Sequence, residues 1–390
     1  MVSVEEAISK VTAYFFKSSP ITKSIHDSLG YVLAADVFSN IDMPPFPQSA
    51  MDGYALCIHK SLKYTIVGEV KAGDSKIFEL QEGEAVRIFT GAAVPQSANA
   101  VMMQEKTSIE NSELVLEEVP KPQQNIRPQA EQIRTGQLAI AKGRKLSPSA
   151  LSFLATVGVL EVSVYPKPKV GIVVTGSELV QVGKPLAYGE IYESNSILLA
   201  NTLKSEGIID YTIYRVTDVY ENTKNLLEKV TSENDFVLVS GGISVGDYDF
   251  VGKALRELGT QEIFYKVKQK PGKPLFFGKC TDCFVFALPG NPASALTCFY
   301  MYGLPMLRYF LGIEKPFLNR AYKKIAHDYT VKGIRAQFLK AIVTDDEVEI
   351  LSQQSSAMIA GFINANAYVF VPEYSTEINK ETLVEVILLP

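Results

Sequence analysis

The chain has no tryptophan, three histidines and four cysteines in 390 residues, and each shortage removes a class of function. So few cysteines in so long a chain make no disulfide framework. Cys280 and Cys283 form a single CxxC, but with no second pair and few histidines a zinc site lacks ligands. GKCTDC lies between the strand-like runs LFF and FVFAL and reads as a turn. A basic excess is also missing. Lys and Arg number 38 against 43 Asp and Glu, a net charge of −5, so no broad positive field invites duplex nucleic acid. No run approaches the roughly 18 to 20 apolar residues needed to span a bilayer. The opening MVSVEEAISKVTAYFF places acids ahead of its apolar stretch, the pattern of an amphipathic helix and not of a signal peptide. These absences predict a cytoplasmic chain that engages neither nucleic acid nor membrane.

What is present is ordinary globular composition, 47% hydrophobic and 21% charged, in a chain long enough for two to four domains. The first 30 or so residues carry a helical pattern that Leu29-Gly30 closes. From about residue 45 to 165 short strand-like pieces (YTIVGEV, AVRIF, AVMMQ, LVLEEV) alternate with Gly, Pro, Asn and Ser clusters, and a second helix, SPSALSFLATVG, follows. From about Lys167 the rhythm becomes strand, helix, strand: VGIVVTG, SNSILLANTLKSEG with a Ser/Asn cap, DYTIYRV, ENTKNLLEKVTSE, DFVLVSGG, DFVGKALRELG. Repeated βα units predict a mainly parallel sheet with helices on its faces and ligands at its carboxyl edge. In LPGNPASALTCFY, Asn291 is placed to cap a helix that opens with Pro292. Beyond Pro316 alternating strands return and predict a small all-β domain.

The carboxyl ends of the α/β strands concentrate glycine and acid: Thr175-Gly176-Ser177-Glu178, Thr217-Asp218, and Ser240 through Asp249, with Gly241, Gly242 and Ser244. Glycines let backbone N–H groups approach an anion. Carboxylates repel phosphate, so acids beside it hold Mg²⁺ or else cap the following helices. In YKVKQKPGKP, Lys266, Lys268 and Lys270 share one face if extended, either a phosphate-contacting row or a lysine-guarded edge strand. There is no Walker A loop, and no GxGxxG follows a strand. Upstream, prolines and glycine in MPPFPQSAMDGYA fix a loop that presents Asp52.

PPFPQSAMDGYA, FTGAAVPQSANAVMMQE, VVTGSELV, VSGGISVGDYDF, KVKQKPGKP and ALPGNPASA stand in the order found in the molybdopterin molybdenumtransferases. The chain resembles that family, which includes MoeA and the gephyrin E domain, clearly from about residue 5 to 310 and weakly beyond. The resemblance implies a multidomain α/β plus β fold. A discontinuous elongated domain takes 1–44 and 132–166, and a β-rich domain 45–131. A molybdopterin-binding α/β domain takes 167–313, and a β-barrel-like domain 314–390. It implies a homodimer with a cleft shared between subunits, an upstream molybdopterin adenylyltransferase as partner, and insertion of molybdenum from molybdate into adenylylated molybdopterin with release of AMP, assisted by Mg²⁺. By resemblance the functional acids are Asp52, Glu178, Asp218 and Asp249, the last three holding metal, with substrate contacts from Thr90, Gly241, Gly242, Ser244, Lys266, Lys270, Pro289 and Pro292. Gln132 stands where relatives often carry an acid, so a metal or molybdate role there does not transfer. Two rivals remain. The adenylyltransferase resembles the α/β region alone and lacks AMDGYA; a scaffolding relative keeps the fold without chemistry, whereas here all four acids are retained.

Overall fold

The computed structural model describes residues 1–243 and 250–390, so the expectations on Ser244 and Asp249 lie outside the described residues. The chain divides into two compact units, Thr22–Val164 and Met1–Ile21 with Tyr165–Pro390.

In the first unit a six-stranded sheet runs in the order Ala100–Met103, Gly53–Leu56, Glu84–Ile88, Lys63–Val70, Glu113–Leu116, Thr107–Glu110. Its side chains alternate between two apolar clusters: Ala55, Val86 and Val101 enter one, their neighbours Leu56, Ala85 and Met102 the other. Gly53 of the AMDGYA segment is required by packing, because a Cβ there would lie 1.9 Å from the Met102 carbonyl oxygen. A third cluster gathers Leu33, Leu146, Leu154 and Val157 around the helix Pro148–Thr156, whose Ser147 side chain caps the Ala150 N–H at 3.2 Å.

The second unit opens with the helix Val4–Thr12, fixed by a capping box between Ser3 and Glu6. The helical pattern expected over the first 30 residues stops there. Ser18-Ser19-Pro20 intervenes, Pro20 cannot donate to a helix, and Ile21–Ser24 is extended; Gly30 (φ +75°) follows only a short 3₁₀ turn, Ile25–Asp27.

The expected α/β sheet is there, in the order Tyr211–Val216, Val170–Thr175, Phe236–Ser240, Cys283–Leu288, Phe276–Cys280, Gln261–Tyr265. The first four strands are parallel and the last two join them by antiparallel pairings, so that only Phe276–Cys280 runs the other way. Cys280 and Cys283 face each other across the predicted turn as free thiols. All six residues of Val170–Thr175 are buried, as befits a strand covered on both faces: Ile172 and Val174 enter one core, Val173 the other. Register pairs Thr175 with Val216, Val174 with Ser240, and Ser240 with Leu288, bringing four strand ends level at one edge.

The C-terminal strands close a barrel. Ala336–Val343, Glu347–Ile350, Arg320–Ile325, Leu383–Leu388 and Ala367–Val371 pair in turn, and the last returns to the first around Leu339, Val348, Val369 and Val386. Among the described residues no helix is long and apolar enough to cross a membrane.

Candidate active site

The level strand ends open into a cavity of about 620 Å³. Gly241 (φ +96°) and Gly242 (φ +62°) turn the chain out of Phe236–Ser240, and a Cβ on Gly241 would stand 2.3 Å from the Thr175 carbonyl oxygen. Only glycine therefore lets the two strand ends sit this close and leaves backbone facing the cavity. Asp218 is half-buried and well held: the Thr175 hydroxyl donates to Oδ1, and the Ser177 N–H donates to Oδ2 at 3.1 Å. The side chain of Glu178, exposed on the same rim, has no hydrogen-bond or ion-pair partner among the described residues. Pro289, Gly290 and Pro292 form the facing wall.

Two further polar side chains line this cavity without a signal in the sequence. Asn195 donates through Nδ2 to Ser240 Oγ and to the Gly290 carbonyl, both at 2.7 Å, tying two strand-end turns together. Glu193 is 5% exposed, accepts from the Ser196 N–H at 2.7 Å and pairs with Arg215 at 3.6 Å. It fills the capping place that the sequence assigns to Ser194 and Asn195, neither of which caps through its side chain. Asn291 likewise does not cap its helix. Its Nδ2 donates to Ser356 Oγ at 3.0 Å instead.

A second cavity, about 640 Å³, shares Pro274, Pro289 and Asn291 with the first. Its cations are Lys270 and Arg335, its hydroxyls those of Ser294, Ser352, Ser355 and Ser356. Arg335 is the residue that sequence reasoning missed. Lys266 lines neither cavity: the chain leaves the extended state there (φ +71°), and its ammonium lies 4.8 Å from the Tyr265 ring centroid.

Asp52 and Thr90 belong to the other unit and meet each other. The Thr90 N–H and hydroxyl both donate to Asp52 Oδ1, at 2.7 and 2.8 Å. The N–H first, then the hydroxyl, with Arg87 adding a smaller attraction, hold the Asp52 carboxyl below the ordinary aspartate range.

Chemically, Glu178 and Asp218 are hard oxygen donors beside glycine-rich backbone, a combination that suits a divalent cation shared with phosphate. Among the described residues no three His, Cys, Asp or Glu side chains form a metal site by themselves.

Comparison with known proteins places this architecture. The MoeA N-terminal region, domains I and II, matches residues 2–158; a probable molybdopterin binding domain matches 171–309; the MoeA C-terminal region, domain IV, matches 323–389. A molybdopterin molybdenumtransferase of Haemophilus influenzae is 33% identical over 387 residues, covering 96% of this chain and 95% of its own. One from Nostoc is 36% identical over 310 residues, 77% of this chain and 71% of its own. A crystal structure of the molybdopterin biosynthesis MoeA protein from Pyrococcus horikoshii aligns with a TM-score of 0.83 at 30% identity, covering 100% of this chain and 99% of that one. With matches that leave only short gaps along its length, the chain belongs to the molybdopterin molybdenumtransferase family of MoeA.

Proposed function

We propose that this protein is a molybdopterin molybdenumtransferase acting in molybdenum cofactor synthesis, taking adenylylated molybdopterin and molybdate and releasing AMP. The observation that carries the reading is the first cavity, where backbone at Gly241 and Gly242 faces the carboxylates Glu178 and Asp218. The glycine turn brings backbone beside the site a phosphate would take, and the exposed Glu178 and the anchored Asp218 are the carboxylates that would hold Mg²⁺ there. Bound there, together with Asp249, Mg²⁺ would neutralise charge on the departing AMP. The protein's own part is to fix Asp218 through Thr175 and Ser177, keep the turns together through Asn195, and hold the phosphoanhydride over Gly241 and Gly242.

Molybdate is a hard, doubly negative oxyanion, and Lys270, Arg335 and the serine hydroxyls of the second cavity are donors of the right sign. Its contiguity with the first cavity, through Pro289 and Asn291, keeps the oxyanion beside the pterin substrate. The soft dithiolene sulfurs that receive the metal belong to the substrate, and the protein orients them. Asp52 and Thr90 complete the reading in a shared dimer cleft, with the four domains bounded at 44, 131, 166 and 313, and with the adenylyltransferase as donor of the substrate.

AMP release from adenylylated molybdopterin, measured with molybdate and with Mg²⁺ or excess EDTA, tests this reaction. Release should require the divalent cation; equal rates in EDTA would remove the metal, and binding without any release would favour a scaffold. Mixing inactive Asp52→Ala and Asp218→Ala chains tests the shared cleft. Heterodimers should regain activity, and none returns if each cleft is completed within one chain.

A further inference from the structure

Beneath the second cavity lies a buried carboxamide for which the reaction above has no use. Gln269 is 0% exposed, yet each of its side-chain polar atoms is engaged. Oε1 accepts from the Tyr302 hydroxyl, while Nε2 donates to the Pro271 carbonyl at 3.0 Å and reaches Cys298 Sγ at 3.6 Å. Its main-chain carbonyl accepts from Arg335 Nη1 at 3.0 Å. The Cys298 thiol donates to the Gly272 carbonyl at 3.6 Å, and Gly272 (φ +86°) has no room for a side chain: a Cβ would lie 2.4 Å from Cys298 Sγ and 3.0 Å from Gln269 Nε2. The segment Lys270–Gly272 is thus fastened from below at two carbonyls, and the second cation is fastened to the residue just before it.

We propose that Gln269 is the positioning residue of the oxyanion cavity, fixing Lys270 through the loop its side chain anchors and Arg335 through its carbonyl. The inference rests on the reading that this cavity receives molybdate. Two like charges lining one cavity repel each other, and a lysine on a four-carbon stem relaxes that repulsion by swinging away unless its backbone is held. A satisfied polar network in a low-dielectric interior is stiff enough to hold it. An apolar residue of similar size at 269 would fill the space but leave the Tyr302 hydroxyl and the Pro271 carbonyl without partners.

The test uses the full chain and molybdate alone in calorimetric titration, with steady-state AMP release alongside. Gln269→Met should weaken molybdate about tenfold, on the scale of one lost hydrogen bond. KM for molybdate should rise more than kcat falls, and KM for the pterin substrate should hold. Tyr302→Phe, which removes one hydroxyl, should shift molybdate affinity the same way by less, and decides the question if Gln269→Met does not fold. A merely structural role would lower thermal stability without a selective molybdate effect. Wild-type molybdate affinity in Gln269→Met or in a folded Tyr302→Phe, while Lys270→Ala loses it, would overturn the positioning role and leave the cavity reading intact. Undiminished affinity in Lys270→Ala would overturn the cavity reading, and this inference with it.

Discussion

The two cavities share a wall at Pro274, Pro289 and Asn291 and carry opposite charge. Among the described residues, Glu178, Glu193 and Asp218 line the first with no Lys or Arg, and Lys270 and Arg335 line the second with no carboxylate. A phosphate ester entering the first meets repulsion unless a cation comes with it, whereas a bare oxyanion entering the second is met by charge already in place. On the proposed reading, the sign of the wall helps to sort the two substrates.

The largest break in this comparison should come from Asp218→Asn. The amide keeps an oxygen for the Thr175 hydroxyl, loses the acceptor for the Ser177 N–H, and removes the charge that would bind a cation. AMP release at saturating substrate should fall about 10²-fold or more, the scale of losing one electrostatic element. Molybdate affinity should stay at the wild-type value, and a parallel loss there would mean that the cavities do not act separately. Next is Gly241→Ala, which acts on shape and not on charge. With φ at +96° and the Thr175 carbonyl 2.3 Å from the new Cβ, it should cost on the order of 1–3 kcal/mol of stability, read by denaturant unfolding. An unchanged midpoint would show that the two turns need not approach so closely. Lys270→Ala comes third. It should weaken molybdate about tenfold at low salt and progressively less as salt rises, because an exposed ammonium is screened over about 8 to 10 Å. A salt-independent loss would point to the loop backbone and not to the charge.

Much of the first cavity was legible because its signals are local. A βα unit writes its strand, its glycine turn and its strand-end acid within a few residues, and parallel pairing then aligns Thr175, Val216 and Ser240 without further information. The second cavity has no such signature. Lys270 and Arg335 lie 65 positions apart and line one cavity because Gln269-Lys270 pairs in parallel with Ala336-Gln337 of the barrel. KGIRAQF reads only as part of a strand. Caps failed where a better acceptor stood nearby: Glu193 displaced Ser194, and Ser356 drew Asn291 away from its helix. The alternation of exposure persists through 266, 268 and 270, so the sequence carries no sign that the backbone turns at Lys266.

Asp52 extends the comparison to a carboxylate with its own donors. The Glu178 carboxylate has no partner among the described residues, while that of Asp52 already accepts the N–H and hydroxyl of Thr90. Its folded carboxyl therefore titrates below the ordinary aspartate value of 3.8. A depressed folded value means that the unfolded chain binds the proton first as pH falls. The stabilisation from this pair is complete above 3.8 and disappears as pH drops through the folded value. Thr90→Val removes the hydroxyl and keeps the N–H, the larger of the two contributions, so it should move the Asp52 midpoint part of the way back upward and never past the ordinary value. The ¹³C shift of the Asp52 carboxyl, followed from pH 7 into acid in both chains, reads this directly. A midpoint that does not move in Thr90→Val would show that the hydroxyl contributes nothing, leaving Asp52 held by backbone alone and as open on its other face as Glu178.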